Sequence, residues 1–179
     1  MNLPNKITLF RVAMIPVFLV FMLVPGIPYQ NYIATAVFVI ASISDAVDGH
    51  LARKNNLVTN FGKFMDPLAD KLLVCSALIC FVELGYLHAW MVIVIIARDF
   101  IINGFRTVAA DSGVVIAASV WGKLKTIVQM ITCVMLIAQL PFSWMDVLEE
   151  IFVWLALALT LISLFEYLWK NRKIIKDTK

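Results

Sequence analysis

Four aspartates carry the densest chemistry in the sequence. Asp45 and Asp48 are separated by i, i+3, and Asp66 and Asp70 by i, i+4. On helices, each pair projects from one face. Only a short loop, 54–61, separates the pairs, so the two helices are expected to be antiparallel neighbours with their carboxylates at a common level. Asp66 directly precedes Pro67 and suits a helix cap. Capping does not account for all four, because close carboxylates repel one another and each is costly near lipid. Divalent cations remove that repulsion. Hard oxygen donors select Mg²⁺, Mn²⁺ or Ca²⁺ over zinc, and four carboxylates suit two metals about 3.5–4 Å apart, the arrangement used for in-line displacement at phosphorus. Gly49, Ala52 and Gly62 lack bulk and allow a flat group or a close backbone to approach. Arg53 offers a planar fork suited to a diphosphate.

The elements that must position these groups are apolar. Of 179 residues, 62% are hydrophobic and 15% charged, with mean hydropathy +0.91. Soluble domains are about 25% charged, so much of this chain is expected to face lipid. Six apolar runs stand out, at 7–24, 32–43, 68–84, 87–102, 126–140 and 147–168. The second, third and fourth are short for a bilayer core of about 30 Å, so their helices are expected to continue into polar ends. The connections 25–31, 83–88 and 141–146 contain no Lys or Arg, and all 15 basic residues fall on the other side. By the positive-inside rule that side is cytoplasmic. The expected fold is therefore all-α: a single polytopic integral membrane domain over 1–179, with six transmembrane helices and both termini cytoplasmic.

Other features are excluded as sites. A net charge of +3 with no basic stripe gives no reason to expect a nucleic-acid partner. Cys75, Cys80 and Cys133 sit in apolar runs without paired spacing and read as small buried residues. His50 would face away from Asp45 and Asp48, and His88 is isolated on an outer loop. Tyr86, Trp90, Trp144 and Trp169 stand where an aromatic belt would lie, against the membrane lipids.

The pattern Asp45-x2-Asp48-Gly49-x2-Ala52-Arg53-x8-Gly62-x3-Asp66-x3-Asp70 resembles, at each specified position, the signature of the CDP-alcohol phosphatidyltransferases. That resemblance implies six transmembrane helices, a homodimer, and transfer of a substituted phosphate from a CDP-linked lipid to an alcohol with release of CMP. It also implies that Asp45, Asp48, Asp66 and Asp70 hold two Mg²⁺ or Mn²⁺ ions, with Asp70 also the general base. Gly49, Ala52, Arg53 and Gly62, joined by Asn5 and Thr8 of the starting segment, would bind the cytidine nucleotide.

The start of the chain, the stretch from Ala97 to Arg106, and the segments Ala117-Ala118-Ser119 and Gly122 to Thr126 are similar to family members of bacterial plasma membranes that use glycerol 3-phosphate. Asp99 departs from the usual glutamate, and its shorter reach affects how Arg98 is held. Arg98, Arg106, Lys123 and Lys125 exceed what orientation requires and suit an acceptor phosphate. The expected reaction joins CDP-diacylglycerol and glycerol 3-phosphate at a cytoplasm-facing site. Serine, inositol phosphate or phosphatidylglycerol as acceptor is the nearer alternative. A transporter is the rival of another class, although relay carboxylates usually lie near the midplane.

Overall fold

The computed structural model describes residues 3–54, 60–111, 116, 117 and 119–172; within its helices, the side chains of residues 3–7, 45–54, 60–67, 70 and 111 lie outside that description. The described residues form six helices and no strand: α1 Leu3–Leu23, α2 Gln30–Lys54, α3 Asn60–Glu83, α4 Ala89–Asp111, α5 Val120–Ala138 and α6 Ser143–Lys170. Each expected apolar run falls on its own helix, although 7–24, 68–84 and 126–140 overrun the helix end by one or two residues and 87–102 begins two residues before α4. As expected from the length of a span, α2, α3 and α4 continue beyond their apolar runs into polar sequence, because a helix satisfies its own backbone groups wherever hydropathy ends.

Contacts divide the chain into two compact units, Met1–Tyr86 with Cys133–Leu140, and Leu87–Thr132 with Pro141–Lys179. In the first unit α1 packs against both α2 and α3, and α2 also touches α3. Small residues permit the close approach: Ala34, Ala41, Ala69 and Ala77 are fully buried. Phe18 of α1 meets Phe38 of α2 with ring centroids 5.8 Å apart. In the second unit α4 packs against α6, and Val128 of α5 joins Ala156 and Leu159 of α6 in a buried cluster.

The end of α3 shows how the chain stops a helix. Gly85 takes φ +77°, a conformation glycine adopts without a steric penalty. The Tyr86 N–H then donates to the Phe81 carbonyl at 2.8 Å and the Gly85 N–H to the Val82 carbonyl at 3.1 Å, a Schellman closure. Its usual apolar contact is present, with the Phe81 and Tyr86 rings 6.2 Å apart.

The distribution of polarity is inverted relative to a water-soluble protein. Arg11, Arg98, Asp99, Lys125, Gln129, Thr160 and Ser163 are buried, whereas Ile93, Ile127 and Phe165 are 65%, 58% and 69% exposed. Such a surface suits a lipid solvent, where polar groups gather between helices. Helices α5 and α6 are each long and apolar enough to cross a membrane. Tyr86, Trp90, Trp144 and Trp169 are exposed, as membrane-interface aromatics require. Cys80 and Cys133 are buried and Cys75 is half-buried, all as free thiols.

Candidate active site

The aspartates occupy facing ends of consecutive helices. Asp45 and Asp48 fall in about the last three turns of α2, and Asp66 and Asp70 in about the first three turns of α3. The two helices touch and are joined through residues 55–59. Both i, i+3 and i, i+4 spacings therefore lie on continuous helix, as the sequence requires. The side chains of all four aspartates, and of Asn5, Gly49, Ala52, Arg53 and Gly62, lie outside the described residues. Thr8 is described and is 1% exposed on α1, the helix that packs on both aspartate-bearing helices. One turn on, Arg11 is equally buried, and both residues engage other groups of the protein. In the sequence, Arg11 figures only as one of the 15 basic residues on the expected cytoplasmic side and as part of the starting segment. Its signal was a guanidinium inside an apolar run, since a charge retained there requires compensation.

The second group of candidates belongs to the other unit. Arg98 of α4 and Lys125 of α5 are drawn to one carboxylate oxygen: Arg98 Nη1 donates to Asp99 Oδ1 at 2.9 Å and Lys125 Nζ at 2.7 Å. All three side chains are at most 10% exposed. Arg98 Nε donates to Ser163 Oγ of α6 at 3.1 Å, and that hydroxyl donates onward to the Thr160 carbonyl at 3.0 Å. The guanidinium is thus fixed along two edges. Its Nη2 lies against the start of α5, where a methyl group added at Gly122 would come within 3.3 Å of it. Glycine at this position gives Arg98 its room.

Ser119 caps α5. Its Oγ accepts the Gly122 N–H at 3.1 Å, and its carbonyl accepts the Lys123 N–H at 3.1 Å. A helix N-terminus with spare N–H groups and a positive dipole end favours an anion. Lys123 is exposed in that first turn. Arg106 is farther along α4, partly exposed, beside Tyr167 of α6. Of the four cations expected to serve a phosphate, Arg98 and Lys125 are joined through Asp99, whereas Lys123 and Arg106 stand apart from that ion group.

Comparison with known proteins decides the family. The model of the CDP-alcohol phosphatidyltransferase family matches residues 1–162. The chain belongs to this family. It is 47% identical to the CDP-diacylglycerol–glycerol-3-phosphate 3-phosphatidyltransferase of Bacillus subtilis (strain 168), over 99% of this chain and 98% of that protein. It is 37% identical to the protein of the same name from Rickettsia bellii (strain RML369-C), over 93% of each chain. Identity with its Haemophilus influenzae namesake is 38%, over 93% of this chain and 91% of that one.

For a CDP-alcohol phosphatidyltransferase, the donor set at the α2 and α3 ends has the right chemistry for divalent metal. Four carboxylates supply only hard oxygen ligands, and no thiol or imidazole competes among them except His50. Among the described residues, which exclude these four side chains, there is no group of acidic, histidine and cysteine side chains able to hold a metal ion.

Proposed function

We propose that the chain transfers the phosphatidyl group of CDP-diacylglycerol to glycerol 3-phosphate, giving phosphatidylglycerophosphate and CMP. The observation that carries this reading is the 47% identity, over essentially the whole length of both chains, with a Bacillus subtilis enzyme whose name states that reaction. The aspartate spacing on α2 and α3 supports it independently. We read the protein as a homodimer in the bacterial plasma membrane. Each chain crosses six times, with its site and both termini at the cytoplasmic face, since every Lys and Arg falls at that end.

In the proposed reaction, Asn5, Thr8, Gly49, Ala52, Arg53 and Gly62 hold the cytidine diphosphate portion of the lipid. Small residues admit the nucleotide close to the helices, and Arg53 pairs with diphosphate oxygens. Asp45, Asp48, Asp66 and Asp70 would hold two Mg²⁺ or Mn²⁺ ions, whose chemistry is neutralisation of the diphosphate and of the departing CMP. Asp70 accepts the proton of the glycerol 3-phosphate 1-hydroxyl. A bond forms from that oxygen to the lipid-linked phosphorus as the bond to the CMP oxygen breaks. Arg98, Arg106 and Lys123 orient the acceptor through its own phosphate, and Lys125 supports them from within the ion group. Positioning and charge stabilisation supply most of the rate in reactions of this kind.

An acceptor panel tests the reading. Purified protein in detergent, given CDP-diacylglycerol and Mg²⁺, is expected to release CMP with glycerol 3-phosphate and not with serine, inositol phosphate or phosphatidylglycerol. CMP release with another acceptor and none with glycerol 3-phosphate would reassign the substrate. Ion flux through liposomes without any CMP release would replace the enzyme with a transporter.

A further inference from the structure

Tyr167 lies near the end of α6 and is 4% exposed. Its ring packs on Phe105 of α4, with centroids 6.5 Å apart. The next residue along α4, Arg106, brings its guanidinium beside the phenol oxygen. The guanidinium is close enough to act on the phenol oxygen, yet neither Arg106 Nε nor Tyr167 Oη, both buried, has a partner in full hydrogen-bond geometry among the described residues. Buried polar atoms are nearly always paired, and leaving them unpaired costs stability. Arg Nε–H can only donate, and a phenol hydroxyl donates readily. One acceptor oxygen placed between them would satisfy both.

The nearby carboxylates do not supply it. Asp99 holds Arg98 and Lys125. Glu166 accepts from Lys170 Nζ at 2.6 Å through Oε1 and draws on Ser119. Its Oε2 is also buried and unpartnered, but among the described residues Arg106 has no ion pair with it. The missing acceptor is therefore expected from a ligand. Arg106 makes an anion the best fit, and two converging donors suit an oxygen of a tetrahedral phosphate.

We propose that the Tyr167 hydroxyl and Arg106 Nε–H together bind one oxygen of the acceptor phosphate, which makes Tyr167 a binding residue for the reaction. The proposal rests on the glycerol 3-phosphate reading above. It also gives the hydroxyl a purpose that packing against Phe105 does not: phenylalanine would pack equally well.

The experiment compares wild type with Tyr167→Phe in the full-length chain in detergent. Inorganic phosphate is titrated by calorimetry, and KM is measured for both substrates. A hydrogen bond to a charged group corresponds to about tenfold or more in affinity. Phosphate binding is expected to weaken by about that factor and KM for glycerol 3-phosphate to rise equally. KM for CDP-diacylglycerol stays unchanged. The melting temperature stays level or rises, because the hydroxyl makes no hydrogen bond of full geometry in the unliganded protein. Unchanged phosphate affinity overturns the proposal, as does a fall in melting temperature with both KM values rising together. Arg106→Lys, which keeps the charge and removes Nε–H, is expected to weaken phosphate in the same way; wild-type affinity in that variant also overturns it. If wild type fails to transfer to glycerol 3-phosphate while Tyr167→Phe still weakens phosphate binding, the acceptor assignment falls and the phosphate pair stands.

Discussion

The Asp70→Asn variant is expected to lose at least about 100-fold in turnover, the lower end of what a positioned general base contributes. An amide has nearly the shape of the carboxylate but accepts no proton at neutral pH. It is also a poorer ligand for a hard cation. Two proposed roles are removed by one substitution, so the loss belongs at the upper part of the range, toward about 10⁴-fold. Folding should be spared. Asp70 follows the fully buried Ala69 and precedes the buried Leu73 on α3, and these packing residues are untouched. Removing one charge from a group of four also relieves mutual repulsion. The check is the initial rate of CMP release at saturating substrates, alongside thermal unfolding. Turnover near the wild-type value would remove Asp70 from the chemistry.

The second large effect is on stability. Asp99→Ala leaves Arg98 and Lys125 facing each other without the oxygen they share, in a site where Arg98 is 9% and Lys125 2% exposed at the side chain. Breaking a buried ion group by removing one partner costs about 3–5 kcal/mol, most of it the uncompensated charge left behind. A site closed off between packed helices offers little water to absorb that charge. Denaturant unfolding in detergent micelles should register the loss. Asp99→Glu, which keeps the carboxylate, should retain most of the stability. If the alanine variant is as stable as wild type, the three groups are not bound to one another as described.

The helices were legible because lipid imposes a simple rule. Runs of apolar residues mark the stretch of each helix that must avoid water, and the six runs located six helices. The ends were less legible. The run starting at residue 126 belongs to a helix that begins at Val120, and the run ending at 43 to one that reaches Lys54. Hydropathy reports the solvent around a helix, while the backbone ladder continues past the interface.

The candidate site divides in the same way. Asp45, Asp48, Asp66 and Asp70 were readable because their spacing is helical and local. The partnership of Asp99 with Lys125 was not readable in that way, since it joins residues on different helices. Composition made Lys125 one more cation for a phosphate; the structure buries it against a carboxylate. Tyr167 carried no signal, because an aromatic near the end of an apolar helix is ordinary. Only its unpaired hydroxyl beside Arg106 distinguishes it.

The carboxylates on the neighbouring ends of α2 and α3 are proposed to hold divalent cations for phosphatidyl transfer. The most direct measurement is CMP release from CDP-diacylglycerol and glycerol 3-phosphate by purified protein, followed through chelation and readdition of Mg²⁺ or Mn²⁺. Release should stop with chelator and return with either ion. Undiminished release in excess chelator would contradict it.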